Sequence, residues 1–237
     1  MPAIPHRLLL AAAGAALAST LLGLWLAPPG LPLSALALSA LGGIAVPIGG
    51  FGLAWPERSS AAMNAANAVT LARASLGSVA GSVGVWAFWT APEPRTLWLV
   101  LALGTLALAL DGVDGAIARR TNSASAFGGR LDMESDGTFT AALCLLAWSS
   151  GAAGPWILLS GALRPLFILA GKALPWMNAP LYPSQRRRVV CVLQIASLLL
   201  ALAPPLAPVS AWIAGLGLAT LLYSFGRDTL WLYRERP

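Results

Sequence analysis

The sequence predicts an all-α polytopic membrane protein, and three observations support this fold class. Apolar residues make up 57% of the 237 positions and charged residues only 10%, whereas soluble domains are about half apolar and about a quarter charged. Apolar runs long enough to cross a hydrocarbon layer of about 30 Å recur along the whole chain. These runs are rich in Leu and Ala and do not alternate with polar residues, so they indicate helices rather than the strands of a barrel.

The apolar runs predict about eight transmembrane helices. Their approximate ranges are 8–27, 31–55, 69–90, 96–112, 137–152, 155–174, 189–203 and 209–225. The first run, flanked by Arg7, could instead be a signal peptide. We favour a span, because the run is longer than the usual apolar region of about 7–15 residues and the next run follows almost at once. The polar, Ala-rich segment 57–68 is predicted to be a linker with a short interfacial helix.

Basic residues concentrate in alternate loops, which predicts the orientation. Those on one side are Arg7, Arg58, Arg119, Arg120, Arg130, Lys172, Arg186, Arg187, Arg188, Arg227, Arg234 and Arg236. The opposite loops are short and rich in Pro and Gly, with Arg95 as their only cation. The positive-inside rule therefore places both termini and the segment 111–137 in the cytoplasm, and we expect the bacterial inner membrane. The net charge of +6 then reflects topology and phospholipid contacts rather than nucleic-acid binding.

The cysteines and the histidine limit the chemistry. Cys144 and Cys191 each lie inside an apolar run and are predicted to be small buried hydrophobes, not a disulfide or a metal pair. The single histidine, His6, excludes a His-based metal site and a His-dependent triad. Any metal site must then be built from oxygen ligands.

Four aspartates and a glutamate lie in one segment between two apolar runs, "DGVDGAIARRTNSASAFGGRLDMESDG". Asp111 and Asp114 are three residues apart and Asp132 and Asp136 are four apart, so each pair shares a helix face. A turn between the helices would bring the faces together, and cations such as Arg119 must then offset the repulsion among the carboxylates. Hard oxygen ligands without imidazole or thiolate suit Mg²⁺ or Mn²⁺. We therefore predict a divalent-metal site for phosphate chemistry at the cytoplasmic face.

Other features of this segment have simpler alternatives. Gly115 and the pair Gly128 and Gly129 would allow close approach of a helix or a ligand, although glycine pairs also help membrane helices to pack. A solvated acidic loop is the alternative for the aspartates. Glu134 is not on the helix face that Asp132 and Asp136 share. We therefore expect it at the cytoplasmic surface or paired with Arg130, and a role as a third metal ligand is the less favoured alternative.

The pattern "D-x-x-D-G-x-x-A-R-x8-G-x-x-x-D-x-x-x-D" runs from Asp111 to Asp136. It reproduces at every fixed position the signature of the CDP-alcohol phosphatidyltransferases, a family that the chain therefore resembles. "NAVTLAR" (67–73) is similar to the Asn-x-x-Thr-x-x-Arg stretch that opens the family's catalytic core. The resemblance covers about 64–233 and six spans, the usual number in the family. We therefore expect two additional N-terminal transmembrane helices in 1–56, the linker in 57–68 and the transferase core in 69–237.

The resemblance implies roles for individual residues. In the family, an alcohol attacks the lipid-bearing phosphate of a CDP-alcohol and CMP is released. Asp111, Asp114 and Asp132 would ligate the metals of a two-metal site. Asp136 would contribute to the second metal and act as the general base that takes the proton from the acceptor hydroxyl. The residues implied for the donor nucleotide are Asn67, Ala68, Val69, Thr70, Gly115, Arg119 and Ser125.

The resemblance also implies the partners of the protein. These are a CDP-linked lipid donor such as CDP-diacylglycerol, a small polar alcohol acceptor and the lipid bilayer. The acyl chains of the donor would stay in the bilayer while its head group meets the water-soluble acceptor at the interface. Because dimers are usual in the family, a homodimer is expected.

The acceptor is less constrained by the sequence. A cation inside an apolar run, such as Arg164, needs an explanation. We expect an electropositive pocket for a phosphorylated acceptor, formed by Arg164, Lys172, Arg186, Arg187 and Arg188, although the last three could be a positive-inside anchor. "SQRRRVV" stands where many relatives have a Gly-Lys-x-Lys-Thr-like stretch, but it lacks the glycine and the threonine. Glycerol 3-phosphate is the first choice, an inositol phosphate the second, and an unphosphorylated alcohol such as serine or choline the third.

Two further classes of function compete with an enzyme. A membrane cation transporter would use the acidic cluster as a cation path, but it should carry carboxylates on several spans near the midplane, which the sequence lacks. An inactive scaffold would place little constraint on the aspartates, yet all four are present. The enzyme is therefore the favoured hypothesis.

Overall fold

The computed structural model describes residues 6–54, 65–120 and 125–235, without the side chains of 6–9, 11–12, 52–54, 65–66 and 112–120. The described residues form eight α-helices. They are α1 (His6–Trp25), α2 (Leu33–Ala54), α3 (Ala65–Trp86), α4 (Pro94–Arg120), α5 (Ala126–Ser149), α6 (Leu158–Ala173), α7 (Gln185–Ala201) and α8 (Ser210–Arg234). Short 3₁₀ helices precede the last three, at Pro155–Ile157, Pro175–Asn178 and Pro204–Val209. The described residues contain no strand, and the all-α prediction is confirmed.

Among the described residues, five stretches are long and apolar enough to cross a membrane, which confirms a polytopic membrane protein. They are Leu33–Phe51, Asn67–Trp86, Pro94–Asp111, Pro155–Ala173 and Pro204–Arg234. The apolar stretch described for α1, Ala13–Trp25, is shorter, and α7 has 17 residues. Two of the four signature aspartates, Asp132 and Asp136, lie in the second and third turns of α5. Of the predicted linker and interfacial helix, residues 57–64 lie outside the described part of the chain.

The helices around the acidic segment are longer than the apolar runs that predicted them. α4 continues to Arg120 and α5 begins at Ala126, whereas the runs end near 112 and begin near 137. Hydropathy locates only the apolar part of a helix, and the more polar residues 113–120 and 126–136 continue these two helices beyond it. The aspartates therefore sit on helices, as their spacing predicts.

α3 is the central helix and packs against α1, α2, α4 and α5. Its span is 72% buried, whereas the other four candidate spans are 17–33% buried. Small residues permit this close packing. A Cβ atom added to Gly81 would lie 2.5 Å from the carbonyl oxygen of Gly42 in α2, and one added to Gly84 would lie 3.1 Å from the backbone nitrogen of Leu146 in α5. Such contacts are typical of membrane helices, which associate through close packing.

The hairpin of α1 and α2 packs directly on the helices that carry the signature. Trp86 Nε1 in α3 donates a hydrogen bond to the carbonyl oxygen of Gly23 in α1, at 3.1 Å. A Cβ atom added to Gly50 in α2 would lie 3.1 Å from the Cα atom of Ser135, the residue before Asp136. The end of α2 therefore supports α5 at the level of the acidic residues.

Candidate active site

Three signature carboxylates converge in the described structure. Asp111 lies on α4, and Asp132 and Asp136 lie one turn apart on α5. One ligand atom from each residue lies within 4.8 Å of the other two, and all three side chains are partly exposed. Such a cluster of oxygen ligands from two helices could hold a metal ion.

The site lies in a gap between α4 and α5. These helices do not pack against each other over their described residues, but both pack against α3 and α7. α3 and α7 therefore separate the two acidic faces and contribute side chains to the space between them. The spacing of Asp132 and Asp136 brings both carboxylates to this gap, where Asp111 of α4 meets them although the described residues of the two helices do not pack against each other.

Arg73 on α3 is the cation at the centre of the cluster. Its Nη1 atom contacts Asp111 and its Nη2 atom contacts Asp132, while Nη2 also lies 3.2 Å from Asp136 Oδ1. The side chain is 5% exposed, so its charge offsets the repulsion among the carboxylates with little screening by water. The sequence interpretation gave Arg73 no role beyond its place in the "NAVTLAR" motif. A charge inside a mostly apolar helix was the signal that could have identified it.

Residues predicted to contact the donor nucleotide meet at the start of α5. Ser125 caps this helix, and its Oγ atom accepts a hydrogen bond of 3.0 Å from the backbone nitrogen of Gly128. Asn67 and Thr70 on α3 are buried. A Cβ atom added to Gly128 would lie 2.6 Å from Asn67 Oδ1 and 3.2 Å from Ser125 Oγ. The signature glycine is therefore needed because these side chains fill the space beside it.

The remaining predicted donor residues are less well placed by the structure. Ala68 and Val69 are partly buried beside Asn67 on α3. The backbone of α4 includes Asp114, Gly115 and Arg119, but their side chains lie outside the described residues. Their roles stay predictions.

Cys191 on α7 lies next to the cluster, whose other side chains come from α3, α4 and α5. Its Sγ atom lies 3.9 Å from Asp136 Oδ2, and the thiol is not in a disulfide. The sequence interpretation treated this residue as a buried hydrophobe only. Its side chain is partly buried, and its contact places one face of α7 next to Asp136.

Glu134 is buried rather than at the surface, and the alternative expectation, an ion pair with Arg130, is confirmed. Its side chain is 5% exposed and forms a two-point ion pair with Arg164 of α6. The Oε1 atom lies 2.6 Å from Arg164 Nη2, and Oε2 lies 3.3 Å from Nε. Arg130, the partner expected from the sequence, lies 3.8 Å from Oε1. At 3.6 residues per turn, Glu134 lies on the face of α5 opposite Asp132 and Asp136.

The predicted acceptor cations have different partners. Arg186 contacts Asp228 of α8, and Arg187 Nη1 lies 3.6 Å from the same carboxylate. Asp228 is 5% exposed, and a buried carboxylate of this kind needs paired cations. Lys172 and Arg188 are exposed. The sequence interpretation missed Asp228 because nothing near it in the chain marks it.

Comparison with known protein families agrees with this geometry. The family model of the CDP-alcohol phosphatidyltransferases matches residues 63–223, more than half of the chain. The match begins beside α3 and includes every helix that borders the carboxylate cluster. Comparison with curated proteins and with solved structures gave no match. The chain belongs to the CDP-alcohol phosphatidyltransferase family, whose members transfer a phosphatidyl group from a CDP-alcohol to an alcohol acceptor.

Proposed function

We propose that the protein transfers a phosphatidyl-type group from a CDP-linked lipid such as CDP-diacylglycerol to a small alcohol and releases CMP. The observation that carries this proposal is the convergence of Asp111, Asp132 and Asp136 within 4.8 Å in a chain of this family. Membrane-spanning helices around the cluster suit a donor whose acyl chains stay in the bilayer. The product would be a phospholipid, so the enzyme would act in phospholipid synthesis.

A divalent metal fits the donor atoms of this cluster. Carboxylate oxygens are the ligands that Mg²⁺ and Mn²⁺ prefer. We assign Asp111, Asp132 and Asp136 as ligands, and the signature adds Asp114. When bound, two such ions would polarise the phosphate oxygens of the donor and offset the charge that develops there.

Asp136 is the proposed general base. Its Oδ1 atom lies near Arg73 and its Oδ2 atom near Cys191, so the carboxylate is held between α3 and α7. In the ionised form it accepts the proton of the acceptor hydroxyl. The alcohol oxygen then forms a bond to the lipid-bearing phosphorus, the bond from that phosphorus to the oxygen of CMP breaks, and CMP leaves with the electron pair.

The buried polar group at the start of α5 supports a nucleotide site next to the carboxylates. We propose that Asn67, Thr70 and Ser125 contact the nucleotide of the donor. The side chains of Asn67 and Ser125 meet around Gly128, and Thr70 lies about one turn after Asn67 on α3. The resemblance adds Gly115 and Arg119 on α4 and the backbone of Ala68 and Val69. A diphosphate between this group and the metal ligands would place its lipid-bearing phosphorus near Asp136.

For the acceptor we propose glycerol 3-phosphate first, an inositol phosphate second and an unphosphorylated alcohol such as serine or choline third. Arg187 and Arg188 precede Cys191 by four and three residues, so the three side chains share one side of α7. Because Cys191 contacts Asp136, this side of α7 supports a binding place for an anionic acceptor. Lys172 remains a candidate from the sequence alone, whereas Arg164 pairs with Glu134 on the opposite face of α5 and is not proposed for this place.

We propose a division of the chain between its second and third helices. The family match begins at residue 63, which supports two additional N-terminal helices, a linker and a six-helix core. We propose that the cluster faces the cytoplasm of a bacterial inner membrane, as the distribution of basic residues predicts. A homodimer stays a prediction from the family.

A panel of acceptors tests the proposed function. Purified protein is incubated with CDP-diacylglycerol, Mg²⁺ or Mn²⁺, and one candidate alcohol at a time, and CMP is measured. We expect release that depends on both the metal and the alcohol, and we expect Asp136→Asn to reduce it at least about 100-fold, within the usual contribution of general-base catalysis. Asp136→Asn that is expressed normally and retains turnover would exclude the assigned base. No CMP release from folded wild-type protein with any donor and acceptor would exclude the proposed function.

A further inference from the structure

We propose that Phe51, near the end of α2, is a positioning residue for the donor, because it holds the first turn of α5 in the place where that turn meets the donor nucleotide. The inference rests on the proposed function and gives the N-terminal hairpin of α1 and α2 a part in it. Phe51 lies outside the matched residues 63–223 and belongs to neither of the two sequence motifs.

Phe51 joins an apolar cluster that is separate from the main core. The three buried members of this cluster are at most 4% exposed, and they are Leu71 of α3 and Phe127 and Leu131 of α5. Phe51 packs against them from α2, and its ring meets the ring of Phe127 edge to face, with 6.0 Å between the ring centroids. Aromatic pairs favour this arrangement. These four residues, the Phe51 cluster, therefore fasten α2, α3 and α5 to one another.

The Phe51 cluster lies next to the signature residues at the start of α5. Phe127 precedes Gly128 by one residue, and Leu131 precedes Asp132 by one residue. The apolar pair and the signature pair therefore occupy adjacent faces of α5, about 100° apart. The space beside Gly128 is already filled, since a Cβ atom added there would lie 2.6 Å from Asn67 Oδ1. A small movement of Phe127 would therefore change the distances within the proposed nucleotide site.

Phe127 is the buried residue of the first turn of α5 in the described part of the chain. It is 1% exposed, whereas Ala126 and Gly129 in the same turn are exposed. The close contact between α2 and Ser135 lies about two turns farther along α5. The longer side chain of Phe51 reaches back to the first turn. Loss of this ring should therefore loosen the start of α5 more than the rest of the helix.

A purely structural role for Phe51 makes a different prediction. If the ring only joined α2 to α5, its loss would lower stability without a selective effect on one substrate. Phe88 provides the matched control, because its ring also meets an aromatic ring of α5 edge to face, that of Trp148, with 4.9 Å between the centroids. Trp148 lies in the last turn of α5, about 30 Å along the helix axis from Phe127. Phe51→Ala and Phe88→Ala therefore remove similar contacts at opposite ends of one helix.

The kinetic experiment uses the full-length protein in detergent with Mg²⁺ or Mn²⁺ and measures CMP release. We expect Phe51→Ala to raise the KM for CDP-diacylglycerol about 10-fold, as for slightly misplaced binding groups, with the KM for the acceptor within about twofold. Phe51→Leu leaves a smaller cavity, so it should raise the donor KM only about twofold to threefold. Phe88→Ala should leave both KM values within about twofold. Equal changes in the donor and acceptor KM, or the same donor effect in Phe88→Ala, would overturn the inference.

Two further comparisons keep the test independent of folding losses. If Phe51→Ala does not fold, Phe51→Leu and Phe88→Leu are compared by the same criterion. In a Phe127→Ala background, Phe51→Ala should add little to the donor KM, because its ring acts through Phe127. A full donor effect in the absence of the Phe127 ring would contradict the inference.

A binding measurement makes the inference independent of turnover. Thermal unfolding is followed over a range of CMP concentrations with Mg²⁺. We expect CMP to raise the Tm of the wild-type protein and of Phe88→Ala, and we expect Phe51→Ala to need about 10-fold more CMP for the same rise. If Phe51→Ala binds CMP and uses the donor as the wild-type protein does, the inference is wrong and the proposed function stands. If no donor releases CMP but CMP binding depends on Phe51, the positioning role stands and the proposed function fails.

Discussion

Glu134 and Asp228 are two buried carboxylates that pair with arginines, but they differ in their relation to the signature aspartates. Glu134 lies on the side of α5 that faces α6, and its two oxygens bind Nε and Nη2 of one guanidinium group. Asp228 holds two arginines at the start of α7, the helix whose Cys191 contacts Asp136. Each group also has a second arginine, Arg130 at 3.8 Å from Glu134 and Arg187 at 3.6 Å from Asp228, so the two groups differ in their position relative to Asp136 rather than in their charge.

The difference between these groups shows that a buried ion pair does not by itself indicate a binding site. A cation inside the membrane needs a partner, and Glu134 supplies one for Arg164 without any ligand. What distinguishes Arg187 is its helix face, which it shares with Cys191, the neighbour of Asp136. Substitutions in the two groups should therefore have different consequences.

The largest expected effect separates Arg187 from Arg164. Arg187→Ala removes the proposed phosphate contact, so the KM for the phosphorylated acceptor should rise about 10- to 100-fold. Arg164→Ala should leave that KM within about twofold, because its guanidinium group pairs with Glu134 on the opposite face of α5. Initial rates of CMP release at varied acceptor concentration provide both values. The reverse order of effects would move the acceptor site to α6.

A smaller effect concerns the stability of the pair between α5 and α6. Glu134→Ala leaves Arg164 without its carboxylate partner. Loss of one partner of a fully buried pair costs about 3–5 kcal/mol, and the Arg164 side chain is 29% exposed, so we expect about 1–3 kcal/mol. Thermal unfolding of the purified protein in detergent measures the change as a lower Tm.

The double variant Glu134→Leu, Arg164→Leu is the control for this stability prediction. It replaces both charges with apolar groups of similar size, and such replacements are often neutral or stabilising. Its Tm should be higher than that of Glu134→Ala, and its turnover should stay close to that of the wild-type protein. A double variant that is stable but has lost acceptor binding would contradict a structural role for the pair.

The sequence predicted which charged residues lie on helices better than it predicted their partners on other helices. Apolar runs located the helices, and the spacing of Asp132 and Asp136 predicted a shared face that the structure has. Arg164 and Arg187 were grouped as parts of an electropositive pocket for a phosphorylated acceptor, Arg164 because it is a cation inside an apolar run. The spacing of residues within a helix shows which side chains share a face, but not which other helix that face meets. The contacts of these arginines with Glu134 and Asp228 could therefore not be derived.

Arg73 illustrates the same limit inside the candidate site. Its spacing from Asn67 and Thr70 places the three side chains on one face of α3, but the sequence does not state what that face meets. Contacts with Asp111, Asp132 and Asp136 depend on the way α4 and α5 pack around α3. Long-range packing of this kind, not local helix formation, was the part that could not be predicted.

The smallest expected effect lies on the donor side and leaves both arginine groups unchanged. In Gly128→Ala the new methyl group would lie 2.6 Å from Asn67 Oδ1, so Asn67 must shift, and overpacking of this kind costs about 1–3 kcal/mol. We expect the KM for CDP-diacylglycerol to rise about fivefold, while the KM for the acceptor is unchanged. Gly129→Ala is the matched control, because its methyl group meets no atom of the described residues within 4 Å. If Gly128→Ala instead raised the acceptor KM, the donor and acceptor would not occupy opposite ends of the site, and the assignment of Arg187 would have to be revised.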